Sequence, residues 1–163
     1  MPWQVSPYIH LKDFPSAKGS YLLGLYLDTP TEMLFSKHGL VFLHSGTYLY
    51  FGSAHGSGGI QGRMRHHLRE GIAPHWHIDW LRVKAVLGCV FFLASEKPLE
   101  CNWFQQVDGQ HDFRAPVAGF GSSDCKNGCK AHLLYRPGPC MPVHQLVHIE
   151  TLGELGNGVQ WEG

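Results

Sequence analysis

Residues 84–94 constrain the fold of this 163-residue chain more than any other stretch. Within them Val-Leu-Gly-Cys-Val-Phe-Phe-Leu is apolar at successive positions, whereas a strand with one wet face alternates with a period of two. Such a run needs cover on both faces, so it reads as a central strand between two layers. Residues 20–27, Ser-Tyr-Leu-Leu-Gly-Leu-Tyr-Leu, form a second buried strand closed by Asp28, Thr29 and Pro30. Residues 40–43 and 47–52 read as two more strands around the turn His44-Ser45-Gly46, a hairpin over 39–52.

Helical spacing occurs twice. Ile60, Met64 and Leu68 recur at i, i+4 and i+8, with Gly71 as terminator. A second helix begins near Pro98 and carries Leu99, Trp103, Phe104 and Val107. Residues 109–131 read as loop, 133–135 and 145–149 as short strand pieces, and 1–18 as an irregular lead-in. The expectation is one α/β domain over 1–163 with its core at about 19–135. It would have a small, largely antiparallel central sheet flanked by helices, with an irregular N-terminal lead-in and C-terminal tail.

Composition sets the outer bounds. Hydrophobic residues make up 44% and charged residues 16%, a globular balance. No apolar run reaches the roughly 18 residues of a spanning helix, and the start lacks the features of a secretory signal. A cytoplasmic protein with no membrane contact is expected, with its five cysteines reduced. Lys plus Arg is 13 and Asp plus Glu is 13. That balance argues against tight non-specific duplex binding, which draws on counterion release by basic surfaces. The 12 histidines would make the chain cationic in mild acid.

Chemistry-bearing residues gather around the predicted hairpin. Tyr50, Phe51 and Gly52 end a strand, a glycine-rich loop follows over 52–59, and the helix after it carries Arg63 and His67 one turn apart, beside His66. The two halves of the pattern, Gly19-Ser20-Tyr21 and Tyr50-Phe51-Gly52, resemble the paired motifs of the GIY-YIG nucleases. Gly24-Leu25-Tyr26 matches the apolar middle of the first motif better than Ser20 does. Tyr21 and Tyr26 differ by an odd number, so on a regular strand only one shares the site of Tyr50. Tyr21 fits the branch pattern.

The wider string is similar to the Uri-type branch of that superfamily, sometimes fused to DNA-repair glycosylase domains. The matching elements are residues 46–54 (GTYLYFGSA), 58–63 (GGIQGR), 75–81 (HWHIDWL), Glu100-Cys101 and 119–125 (GFGSSDC). The resemblance covers about 19–135, and five elements in order make it specific.

It implies an endonuclease that hydrolyses a nucleic-acid phosphodiester bond, in DNA rather than RNA, in processing or repair alongside a DNA-repair partner protein. Glu100, the first acid on the helix after the long strand, would hold one Mg²⁺ or Mn²⁺, hard ions that prefer oxygen. Arg63 would bind non-bridging phosphate oxygens. One of Tyr21 and Tyr50 would position or deprotonate the attacking water, the other would bind the phosphate, and His67 would share the proton traffic. Gly52, Ser53, His66, Ser122 and Ser123 complete the set as substrate-binding positions. Ser122, Ser123 and Asp124 are equally well read as a side-chain-capped turn.

Three rival readings stay open. Tyr21 and Tyr50 are also ordinary strand aromatics, and zero net charge suits a catalytically silent nucleic-acid-binding or interaction module on the same fold. On an extended strand His75, His77 and Asp79 would share one face as metal ligands; the preferred reading is that they wall the site or hydrogen-bond the Arg63 helix. Cys125, Cys129 and His132 are three zinc-type ligands that would need a fourth from His75 or Cys101. A reduced, loop-stabilising pair is the preferred reading, and zinc is not expected.

Overall fold

The computed structural model describes residues 9–35, 39–69, 73–122 and 125–140. The predicted terminator Gly71 and the strand-like piece at 145–149 lie outside them. Among the described residues the chain is α/β, with a four-stranded antiparallel sheet, a separate two-stranded ribbon and three α-helices. The strands are β1 (Gly19–Leu27), β2 (Thr31–Phe35), β3 (Gly39–Leu43), β4 (Gly46–Ala54), β5 (Val86–Ala94) and β6 (Leu133–Arg136). The helices are α1 (Gly59–Leu68), α2 (His77–Arg82) and α3 (Glu100–Val107). No helix among the described residues is long and apolar enough to cross a membrane.

The main sheet runs β5-β1-β4-β6, so the strand over 86–94 lies at an edge rather than at the centre. Its apolar run reflects cover on both faces, not central position. One face carries Tyr21, Leu23, Leu25 and Tyr48, packed with Ile60 and Met64 of α1 and Ile78 and Leu81 of α2. The other carries Leu22, Leu49, Phe51 and Phe91 against Trp103, Phe104 and Val107 of α3. Successive residues of one strand thus enter two separate apolar clusters, which is why alternation is missing from the sequence.

The predicted hairpin over 39–52 does not form. β3 pairs with β2, from Thr31↔Leu43 to Phe35↔Gly39, and β4 pairs with β1 and β6. The chain leaves the ribbon at Gly46, whose φ of +149° a side chain would not favour. β2 was not expected, because its short Thr-Glu-Met-Leu-Phe segment buries only Met33 and Phe35. The ribbon, rather than one hairpin strand, fills the 29-residue separation between Tyr21 and Tyr50. Residues 9–18 of the lead-in are also more ordered than expected. Carbonyls of Pro15 and Ala17 accept from the amides of Gln61 and Ile60 at 2.8 and 2.9 Å, so they satisfy the open N-terminal turn of α1.

The β1–β4 register explains Gly52 of the paired motif, while β5 and α1 crowd Gly19. Tyr21 stands opposite Gly52, and Leu23 opposite Tyr50, so Tyr21 and Tyr50 are diagonal neighbours on one face. Tyr26 lies opposite Thr47, on the other face by parity. A Cβ on Gly52 would meet the Tyr21 hydroxyl oxygen at 2.5 Å, and one on Gly19 would meet Ile60 Cδ1 at 2.7 Å. Gly52→Ala should therefore displace the Tyr21 ring and cost about 2–3 kcal/mol in denaturant unfolding, as overpacking does. Tyr21→Ala introduced with it should recover part of that loss, giving a non-additive double-mutant cycle. Strict additivity would mean that the ring and the glycine do not compete for space.

Candidate active site

A cleft of about 490 Å³ opens at the end of the sheet where β1, β4, α1 and α3 meet. Tyr21, Tyr50, Arg63 and Glu100 line it, together with Gly52, Ser53 and His132. The two phenol rings are 6.3 Å apart by centroid. Arg63 projects from α1 with its guanidinium carbon 4.4 Å from the Trp76 ring centre, a stacking that limits the rotamers of its long side chain. Glu100 opens α3, and its Oε2 accepts from Ser20 Oγ at 3.1 Å. That hydroxyl in turn accepts from the Leu99 amide at 2.9 Å. The polar middle residue of the first motif thus holds the carboxylate.

Behind Tyr21 lies His67, fully buried on the inward side of α1 with Met64. The Tyr21 hydroxyl and His67 Nε2 are 2.8 Å apart in a buried hydrogen bond. Burial drives the His67 pKa from 6.5 down to about 3, and the cations Arg82 and Arg63 push the same way against Asp79. The imidazole is therefore neutral at physiological pH. Burial also pushes Tyr50 up to about 12, although Arg63 pulls it down. Tyr21 is raised well above its ordinary value, by burial first and then by the neighbouring Tyr50. Neither phenol ionises near neutrality without a cation close by.

A polar scaffold from α2 holds the inner end of α1. Residues 77–82 are helical, so His75, His77 and Asp79 do not share the face that an extended strand would give them. Asp79 instead accepts from His66 Nε2 and from the amides of His75 and Trp76, all at 2.9 Å. Burial raises its pKa, but these bonds outweigh that and hold it below the ordinary value. Arg82 is fully buried and donates twice to the His67 carbonyl, at 3.2 and 3.3 Å, closing the C-terminal end of α1. Burial lowers its pKa to about 10, which leaves it charged. His77 Nδ1 accepts from the Gly121 amide at 2.9 Å and so pins the 119–132 loop to α2.

The remaining candidates divide. Gly52 and Ser53 line the cleft, whereas His66 and Ser122 are not among its lining residues. His66 is tied to Asp79, and Ser122 is buried in a turn, its carbonyl accepting from the Cys125 amide at 3.0 Å. Ser123 lies outside the described residues. Ser53 and His55 Nδ1 are 3.0 Å apart, and His55 Nε2 donates to the Ser95 carbonyl at 3.0 Å, so the Ser53 hydroxyl is the donor in that pair. Sequence reasoning missed Trp76 and Arg82. An arginine two turns beyond a His-rich segment was the only signal for the latter, and burial cannot be read from it.

The expectation that zinc has no place here is overturned. Sulfurs of Cys101, Cys125 and Cys129 and a ring nitrogen of His132 all lie within 4.8 Å of one another, a ligand set of zinc type. Cys101 is the fourth member, brought in from the first turn of α3, 24 residues away from Cys125. Of the two fourth ligands open in the sequence, His75 and Cys101, the packing of α3 on the loop brings in Cys101.

A family model described as "Domain of unknown function DUF123" matches residues 20–152, and the chain belongs to that family. Searches of curated proteins and of solved structures return no match.

The neutral, buried state of His67 has a measurable consequence. Its folded-state pKa of about 3 lies below the ordinary 6.5, so the unfolded chain takes up the proton first as pH falls. The contribution is complete above about pH 6.5 and declines by up to about 1.4 kcal/mol per unit down towards pH 3. Asp79, His66, Arg82 and Arg63 face it. Between about pH 7 and pH 5, His67→Gln should lose about 1–2 kcal/mol less stability than the parent in urea titrations. Equal losses would rule out His67 as the acid-sensitive group.

Proposed function

We propose that the chain is a GIY-YIG-type endonuclease of the Uri-type branch, hydrolysing a nucleic-acid phosphodiester bond, DNA in preference to RNA, with one Mg²⁺ or Mn²⁺ held at Glu100. One observation carries this reading. Tyr21, Tyr50, Arg63 and Glu100 come from β1, β4, α1 and α3, yet line a single cleft of about 490 Å³. The ordered resemblance of residues 19–135 to that branch supports it further.

The donor set suits such an ion. A half-buried carboxylate fixed by Ser20 leaves room for the several waters that Mg²⁺ retains. When bound, the ion supplies positive charge for the phosphoryl oxygens and acidifies a coordinated water. Arg63, steadied on Trp76, presents a planar fork to two non-bridging oxygens. Tyr50 and Tyr21 both line the cleft, one to serve the attacking water and one the phosphate. An imidazole with a pKa of about 3 is a weak proton acceptor, so His67 orients the Tyr21 hydroxyl rather than storing its proton. His67 is thus a positioning residue.

A nicking assay with supercoiled and branched DNA in Mg²⁺ or Mn²⁺ tests the proposal. Glu100→Ala and Arg63→Ala should each slow cleavage by about 100-fold or more, and Tyr50→Phe should do so with little loss of stability. Variants as active as the parent would refute it. Binding of the same DNA by the parent without cleavage would favour the silent module that zero net charge suits.

A further inference from the structure

We infer that Cys101, Cys125, Cys129 and His132 bind one structural zinc ion that clamps the 119–132 loop to the first turn of α3. Zinc–sulfur bonds of about 2.3 Å at tetrahedral angles place ligand sulfurs about 3.8 Å apart. Here Cys101 Sγ lies 3.3 Å from Cys125 Sγ and 3.4 Å from His132 Nε2, and all four ligand atoms fall within 4.8 Å. Four such atoms fill a tetrahedral shell and leave no open position, the arrangement of a structural rather than a catalytic zinc. Three thiolates select a soft or borderline ion over Mg²⁺.

The surroundings hold these ligands in place. The His132 ring packs beside Phe104 of α3, with ring centroids 6.3 Å apart. His132 also donates its amide to Phe120 at 2.7 Å and offers its carbonyl to the Phe51 amide at 2.9 Å. Lys130 pairs with Asp108 at the far end of α3 at 2.5 Å. Cys101 and His132 are buried, and Cys125 and Cys129 close the outer side.

The position gives the ion a task. Cys101 follows Glu100 directly, Cys125 and His132 line the cleft, and a Cβ on Gly121 would meet the Tyr50 ring at 2.8 Å. The ion therefore fixes the wall that faces Tyr50 and the turn that presents Glu100. Its consequence for cleavage rests on the nuclease reading; the metal itself does not.

Full-length protein purified without chelators from zinc-supplemented medium should carry one zinc per chain by elemental analysis. Cobalt exchange should give the visible bands of a tetrahedral thiolate site. Cys129→Ser should lose the metal, whereas Cys140→Ser should keep it. With Mg²⁺ in excess, a zinc-selective chelator should speed tryptic cleavage after the exposed Lys126 and Lys130 by about tenfold. Metal-free protein lighter by two hydrogens would indicate a disulfide and overturn the proposal, as would iron in place of zinc. Cleavage unchanged by the chelator would overturn the clamp. A zinc-loaded chain that does not cut DNA would leave the zinc site standing and refute only the nuclease.

Discussion

The Tyr21 ring lies against the bare backbone of Gly52, and the site is built outward from that contact. It exists only in the β1–β4 register that sets Tyr21 opposite Gly52. A slip of one residue would turn one strand over relative to the other, so Tyr21 and Tyr50 would face opposite sides of the sheet and no longer share the cleft. The two apolar clusters oppose such a slip from both sides, because each strand residue is matched to one of them. The same packing that makes the sheet stable therefore aims the phenols.

Beneath the cleft, unlike charges and neutral rings are sorted by depth. Arg82 remains cationic while fully buried because it terminates α1, where helix carbonyls concentrate negative potential. Asp79 remains anionic because three donors converge on it. His67, whose Nε2 is paired with the neutral Tyr21 hydroxyl, is held neutral instead. Burial sets the state of each group, and the hydrogen-bond partners decide whether charge survives it.

Much of this was legible in the sequence, though not evenly. The buried strands, α1 and α3 follow from apolar runs and periodicity; parity allowed only one of Tyr21 and Tyr26 beside Tyr50, and the family resemblance chose Tyr21. The hairpin did not, since the expected strand over 40–43 carries too little information to choose between β2 and β4 as its partner. The edge position of β5 was hidden because two-sided cover and central placement leave the same composition. The helix over 77–82 was hidden too, as a six-residue element whose three polar residues suit a strand equally well. The Cys/His cluster was undervalued for a different reason: Cys101 and His75 were both open as a fourth ligand, and only tertiary packing decides that Cys101 joins the other three.

Ser20 adds hydrogen bonds to the apolar packing that already joins the sheet to α3. Its side chain bonds both the Leu99 amide and the Glu100 carboxylate, while the next residue along the same strand carries the Tyr21 phenol. A single peptide unit thus acts as the hinge pin between the carboxylate-bearing helix and the aromatic wall. The placement of the carboxylate relative to the phenol therefore runs through neighbouring residues of β1, whereas Arg63 is held separately, against Trp76.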